Sequence, residues 1–142
     1  MAVKQITASL VATHLDGRSV TSKEFLEPLK IDSDSRFVRV AADRPKGMSA
    51  LIEFFHSDIA AHRGAPERYV SFDNEVASSF DSVGTWLGGR VDALQSMANN
   101  GLRLLFIVEI WINQDQMELV VPPAVLLACG QAGIRLQVIS ND

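Results

Sequence analysis

The chain has 142 residues, a net charge of −4, 47% hydrophobic residues and 21% charged residues. This length fits one domain with its own core, and this composition excludes an intrinsically disordered chain. The single cysteine, Cys129, excludes an intrachain disulfide framework and a multi-cysteine zinc site.

Charge and hydropathy also restrict the partners and the compartment. The 13 Lys and Arg residues are scattered rather than clustered, so we expect no nucleic-acid binding. No segment reaches the ~20 apolar residues of a membrane helix, and Thr7, Ser9 and Thr13 interrupt any signal-peptide core at the start. We therefore expect a soluble cytoplasmic protein without a membrane partner.

The first elements are a strand and a short helix. Apolar and polar residues alternate over 5–15, which predicts a strand with one buried face, and Asp16-Gly17 predicts a tight turn. Thr21 and Glu24 have the spacing of a capping box, at the start of a helix that Pro28 should end near Glu27. This segment has a structural role.

The middle of the chain gives weaker signals. Residues 36–42, which include the β-branched Val38 and Val40, predict a short strand, followed by a turn. From Ser49 to Arg63 the apolar spacing is helical, although "ALIEFF", residues 50–55, can also be interpreted as a strand. Residues 68–72 predict a short strand, and 73–99 predict a helix with a core-facing stripe and a break at Gly84.

The last third contains the strongest pattern, a strand over 102–112 with one wholly apolar face. Residues 117–121 predict a strand that pairs back as a hairpin. Pro122-Pro123 begin a helix that Gly133 ends, and 134–140 form a final strand with Ile134, Leu136 and Val138 inward. The fold class is α+β: one domain, 1–142, with a mixed, mostly antiparallel sheet and helices mainly on one face.

Two segments, 6–31 ("ITASLVATHLDGRSVTSKEFLEPLKI") and 102–140 ("LRLLFIVEIWINQDQMELVVPPAVLLACGQAGIRLQVIS"), carry a resemblance to a known family. They resemble the bacterial family known as domain of unknown function 4279, in their strand, turn and short helix at one end and their Pro-started, Leu-rich helix and final strand at the other. The resemblance covers about half of the chain. Residues 31–72 depart from the family's tryptophan-bearing strand pattern. The family has no established catalytic residues to carry over.

The sequence contains no nucleophile elbow, P-loop, dinucleotide-binding fingerprint or H-E-x-x-H motif. His56 and His62 are six residues apart, so on a helix their rings diverge, and Glu53 with His56 has no second pair to complete a metal site. Cys129 lies in an apolar helix, where burial makes a thiol inert. We therefore expect no catalytic residue, no metal and no cofactor.

Glu109 and Trp111 share the second face of the strand over 102–112. On an open face they could bind a partner, because tryptophan is enriched at binding hot spots; on a covered face Glu109 would pair with Arg103 or Arg135. We predict a protein-binding module of the immunity or regulatory type, either monomer or homodimer. Its binding residues would be Glu109, Trp111, Asn113, Gln114, Asp115 and Gln116. The alternative is an enzyme or small-molecule binder with a cleft near Glu109, His14 and His56.

Overall fold

The computed structural model of the chain describes residues 3–31, 36–112 and 119–141. A five-stranded sheet has the strand order β2-β3-β1-β4-β5. Its strands are β1 (Val3–His14), β2 (Arg39–Ala41), β3 (Ala50–Asp58), β4 (Leu102–Ile112) and β5 (Arg135–Asn141). The helices are α1 (Ser22–Phe25), a 3₁₀ helix (Ile59–His62), α2 (Arg68–Gly88), α3 (Val91–Asn99) and α4 (Pro123–Ala132).

The two central strands, β1 and β4, are antiparallel and decide which side of the sheet is buried. Leu10 of β1 pairs with Phe106 of β4, and both side chains are fully buried. The alternate positions of both strands face the same way and meet α2, α3 and α4. β3 pairs antiparallel with β1 and with β2, whereas β5 runs parallel to β4. The predicted α+β class, with a mixed, mostly antiparallel sheet, is confirmed.

The segment after β1 folds as the capping signal predicts. The Thr21 hydroxyl accepts a hydrogen bond from the Glu24 N–H at 3.2 Å, and the Thr21 N–H donates to the Glu24 carboxylate at 2.8 Å. Val20 and Phe25, the residues of the hydrophobic staple, are both buried. Helix α1 ends at Phe25, ahead of Pro28.

The helix predicted from Ser49 is wrong, and the alternative strand is right. β3 carries a bulge: Ala8 faces Phe55 and Ser9 faces Glu53, so Phe54 is an extra residue in the strand. The bulge turns Phe54 and Phe55 to the helix side, where they contact Trp86 and Phe80. An alternation interrupted in this way resembles helical spacing, which explains the error.

The strand predicted at residues 68–72 is also wrong, because α2 begins at Arg68. Phe72 is buried and continues the apolar stripe of the helix. Gly84 lies inside α2, and a Cβ there would be 3.0 Å from the Cβ of Ala124. Gly84 therefore permits a close α2–α4 contact, and the break between α2 and α3 occurs instead at 89–90.

The end of the chain follows the predicted helix and strand, without the hairpin. Helix α4 ends at Gly133, which has a positive φ of 74°. Of the predicted hairpin strand, residues 117 and 118 lie outside the described residues and 119–121 are not in a strand. Leu136 and Val138 are opposite Phe106 and Val108, so they lie on the predicted inward face, but they are 38% and 44% exposed because β5 is an edge strand. In the described ranges, no helix is long and apolar enough to cross a membrane.

Candidate functional site: the open face of the sheet

The two faces of the sheet differ in their cover. On β4, the even-numbered residues from Leu102 to Ile110 are buried under the helices, whereas the odd-numbered ones are exposed or half-buried. Leu105 and Ile107 are absent from the core cluster that the helices complete. We call the uncovered side the open face. On β4 its residues are Arg103, Leu105, Ile107, Glu109 and Trp111.

The strand register places further side chains beside these β4 residues. On β1, Val11 is opposite Leu105 and Thr7 is opposite Glu109. On β3, Leu51 is opposite Val11 and His56 is opposite Thr7. The open face therefore has an apolar centre of Val11, Leu51, Leu105 and Ile107, and Ser9 and Glu53 lie beside Ile107 on the neighbouring strands.

On β4 the charges of the open face are separated along the strand, whereas Glu53 of β3 and Arg39 of β2 lie in the same row as Ile107. Arg103 and Arg135 lie at the end where β4 begins, since Arg135 is opposite Leu105. Glu109 and Asp58 lie towards the other end. Hydrogen bonds from the backbone of Ala60 and the side chain of Gln5 keep the pKa of Asp58 below its ordinary value, so this end carries negative charge.

Glu109 does not form the ion pair that a covered face would require. Within the described residues, the ion pairs join His14 to Glu24, Arg18 to Asp16 and His62 to Glu75. Arg103 is six residues from Glu109 on one strand, or roughly 20 Å. The predicted pairing of Glu109 with Arg103 or Arg135 is therefore wrong.

The other predicted binding residues have two outcomes. Trp111 is half-buried on the open face, opposite Gln5. Asn113, Gln114, Asp115 and Gln116 lie outside the described residues.

The predicted cleft of Glu109, His14 and His56 is not assembled. Glu109 and His56 are both opposite Thr7 and share the open face, two strands apart. His14 is seven residues from Thr7 on the opposite, helix-covered face, so roughly 23 Å separates them along the strand. It is buried, and its Nε2 lies 2.6 Å from the Glu24 carboxylate. His14 is therefore a buried residue at the end of β1 and does not line the open face.

A second histidine contact, which sequence reasoning missed, joins distant segments. His62 of the 3₁₀ helix forms a hydrogen bond with the Glu75 carboxylate. The same carboxylate accepts a hydrogen bond from the hydroxyl of buried Ser57 at 3.2 Å. Nucleophilic catalysis needs histidine beside the serine, with the carboxylate behind it. Here the Glu75 carboxylate lies between Ser57 and His62. These hydrogen bonds therefore hold α2 against β3 and do not activate Ser57.

The structure shows the surroundings of the residues considered above for metal binding and for thiol chemistry. Across the described ranges, no group of three or more His, Cys, Asp and Glu side chains could hold a metal ion. His56 lies on a strand rather than on the helix considered for Glu53 and His56. Cys129 is buried in α4, and this burial raises the pKa of its thiol to about 11. The expectation of an inert thiol follows from this environment.

Comparison of the chain with protein-family models, with curated proteins and with solved structures gives no match in any of the three. The resemblance to domain of unknown function 4279 therefore stays a prediction. Function has to be argued from the surface of this chain alone.

Proposed function

We propose that this chain is a non-enzymatic protein-binding module, and that its open face binds a second copy of the chain in antiparallel orientation. The observation that carries the proposal is the self-complementary order of side chains on β4. Arg103, Leu105, Ile107 and Glu109 are spaced evenly about Phe106, whose own side chain points to the core.

A two-fold axis at Phe106, in the plane of the interface and perpendicular to β4, exchanges these residues in pairs. It places Arg103 of each copy opposite Glu109 of the other, and Leu105 opposite Ile107. A two-fold interface requires such self-complementarity, because each contact occurs twice with the roles exchanged. Two sheets packed face to face lie roughly 10 Å apart, a gap that Arg and Glu side chains can span together.

The charge order favours the antiparallel arrangement over the parallel one. An axis along β4 would place Arg103 opposite Arg103 and Glu109 opposite Glu109, and like charges across an interface are unfavourable. The antiparallel axis replaces both repulsions with attractions. The orientation of the partner is thus specified by two residues.

The apolar centre supplies the non-specific part of the binding energy. Val11 flanks Leu105 on the open face and extends its apolar surface to β1. Leu51, on β3, is only 9% exposed, and the two-fold axis places it opposite Glu53 of the other copy, so most of the apolar contact comes from β4 and β1. Burial of apolar surface contributes about 25 cal/mol per Å². An apolar centre with a charged rim is the usual anatomy of a protein interface.

The proposal is tested by charge reversal and sedimentation velocity at high micromolar concentration. The native chain is expected to sediment as a dimer. Arg103→Glu places Glu opposite Glu109, and Glu109→Arg places Arg opposite Arg103, so each variant alone should be at least tenfold weaker in self-association, about 1.4 kcal/mol. An equimolar mixture of the two variants should form a heterodimer, because every opposed pair is then opposite in sign.

The matched control is Lys23→Glu, an exposed charge reversal on α1. It should leave the dimer intact, and thermal unfolding should show that all variants fold. A native chain that is monomeric, or single variants that stay dimeric, would overturn the proposal. A mixture of the variants that fails to associate would also exclude the antiparallel pairing.

A regulatory or immunity-type role for such a module remains a proposal of its own. It is motivated by the compact size of the chain and its net charge of −4. A toxin gene beside the gene for this chain would support the immunity role, and a biosynthetic or catabolic operon would count against it.

A further inference from the structure

A cleft on the helix-covered side of the sheet, opposite the proposed dimer interface, has the properties of a small-molecule site. It lies between α2, the strand β3 and the segment 36–37 that precedes β2, and its volume is about 650 Å³. Sites for small organic ligands are typically about 300–1,000 Å³. The cleft is therefore large enough for a two-ring compound.

One wall of the cleft is aromatic. Phe37, Phe54 and Trp86 pack edge to face, with ring centroids 5.7 Å apart for the two Phe residues and 5.5 Å and 5.2 Å from Trp86. All three are partly rather than fully buried, and all three line the cleft. Such a wall favours a flat aromatic ligand, because ring edges and faces pack on one another.

A fixed cation lies beside this wall. The guanidinium of Arg90 lies 4.2 Å from the centroid of the Trp86 ring. Its Nε–H donates to the Leu29 carbonyl at 3.0 Å and its Nη1 donates to the Trp86 carbonyl at 3.1 Å. These bonds use two of its five N–H groups, so donors remain for a ligand. Burial lowers the pKa of Arg90, which still remains charged at neutral pH.

Among the described residues, the lining as a whole carries two arginines and one carboxylate, so its net charge is positive. Arg36 lines the cleft and is exposed, and one carboxylate, Asp81, also lines it. In the part of the chain that the structure describes, no ion pair engages Arg36 or Arg90. Ser78 and Ser82 are exposed along α2 and add hydroxyl groups. A desolvated arginine without a carboxylate partner attracts an anionic ligand group.

We infer that this cleft binds a planar aromatic carboxylate, with its ring on the Phe37–Phe54–Trp86 wall and its carboxylate at Arg90 and Arg36. The carboxylate would accept the free N–H groups of Arg90 while the ring excludes water from the wall. The polar hydroxyls of α2 would face the open side of the ligand. The inference concerns binding alone, and no reaction is assigned to the cleft.

The probe is 2-naphthoate, followed by the indole N–H signals in a two-dimensional ¹H–¹⁵N NMR spectrum. The chain has two tryptophans, and Trp111→Phe assigns the signal of Trp86. We expect 2-naphthoate to shift the Trp86 signal with a Kd on the order of 1 mM, a strength typical of a ligand of this size. The neutral 2-naphthylmethanol should bind at least tenfold more weakly, and 2-naphthylmethylamine should not bind.

The matched variants are Arg36→Gln and Arg39→Gln. Both remove an exposed arginine from the same short region, but Arg39 does not line the cleft. Arg36→Gln should weaken 2-naphthoate binding about threefold to tenfold, and Arg39→Gln should leave it unchanged. Arg90→Lys keeps the positive charge but removes the planar guanidinium group, so it should weaken 2-naphthoate binding more than Arg36→Gln does. Thermal unfolding checks that each variant folds.

Three results would overturn the inference. The first is a Trp86 signal that does not move with 2-naphthoate at saturating concentration. The second is equal binding of the neutral alcohol, which would make the cleft a purely apolar surface. The third is equal weakening by Arg36→Gln and Arg39→Gln, which would reflect the net charge of the chain rather than the cleft.

Discussion

The two faces of one sheet carry almost the same kind of side chain but have different roles. On the helix-covered face of β4, Phe106 and Val108 are fully buried in the core. On the open face, Leu105 and Ile107 are half-buried, and the residues next to them in the alternation are charged. The difference shows that apolar content alone does not identify a core face. The charged residues at either end of the apolar run mark the face that the helices leave uncovered.

The largest expected effect compares neighbouring residues on the two faces. Phe106→Ala removes a fully buried ring and should lower the free energy of unfolding by about 3–5 kcal/mol. Ile107→Ala, one residue away on the open face, should lower it by about 1 kcal/mol or less in the monomer. Urea unfolding at low protein concentration measures both. Equal losses would mean that the open face is a second core face.

The next largest expected effect tests the close packing of α2 against α4, the helices that cover the buried face of the sheet. Gly84→Ala places a methyl group 3.0 Å from the Ala124 Cβ and 3.3 Å from the Val125 backbone N, so α2 and α4 must separate slightly. We expect a loss of roughly 1 kcal/mol in urea unfolding, because the crowding outweighs the gain in helix propensity.

The control for this change is Gly88→Ala in the same helix. A Cβ at Gly88 meets nothing within 4 Å, so this variant should be neutral or more stable by up to about 1 kcal/mol. If Gly84→Ala were as stable as Gly88→Ala, the close α2–α4 packing would not limit the cover of the sheet.

The smallest effect concerns Glu24 at the end of the covered face. Desolvation raises the pKa of Glu24, but hydrogen bonds from Thr21 and His14 outweigh it, and the pKa is lowered from its ordinary value of 4.5. A lowered folded-state pKa contributes stability above the unfolded value, which is lost as pH falls through the folded value. The native chain should therefore lose stability as the pH falls below about 4.5, and the Glu24→Gln variant should lose less over the same pH range.

The size of this acid effect should stay below about 1 kcal/mol, because the carboxylate is partly exposed to water. Thermal unfolding at pH 3 to 6 measures it, with Glu27→Gln, an exposed residue of the same segment, as the control. An acid-induced loss of the same size in Glu24→Gln and in the native chain would assign the effect to other carboxylates.

The elements with strong local signals could be predicted from the sequence. The capping box at Thr21, the strands β1 and β4, and the Pro-started α4 with Gly133 all follow from propensity, periodicity and turn chemistry. β3 was predicted as a helix because its bulge at Phe54 breaks the alternation. A bulge is set by pairing with β1, which is remote in sequence, so no local signal could reveal it.

The candidate site was predicted in part. The sequence placed Glu109 and Trp111 on one face of β4, but not whether that face was covered. The contact of His14 with Glu24 and the cleft between Trp86, Phe54 and Arg90 join segments far apart in the chain. Their detection requires the strand order, which hydrophobic patterning leaves open.

By itself, the sequence determined the class of this protein and the polarity of its central strand. A period of two residues fixes the faces on which Arg103, Leu105, Ile107 and Glu109 lie, because side chains alternate along any strand. Tertiary structure alone decided that the helices collect on the other side, that β5 is an edge, and that α2 meets β3 around a cleft. Those outcomes depend on contacts between distant segments, whose free energy no local pattern contains.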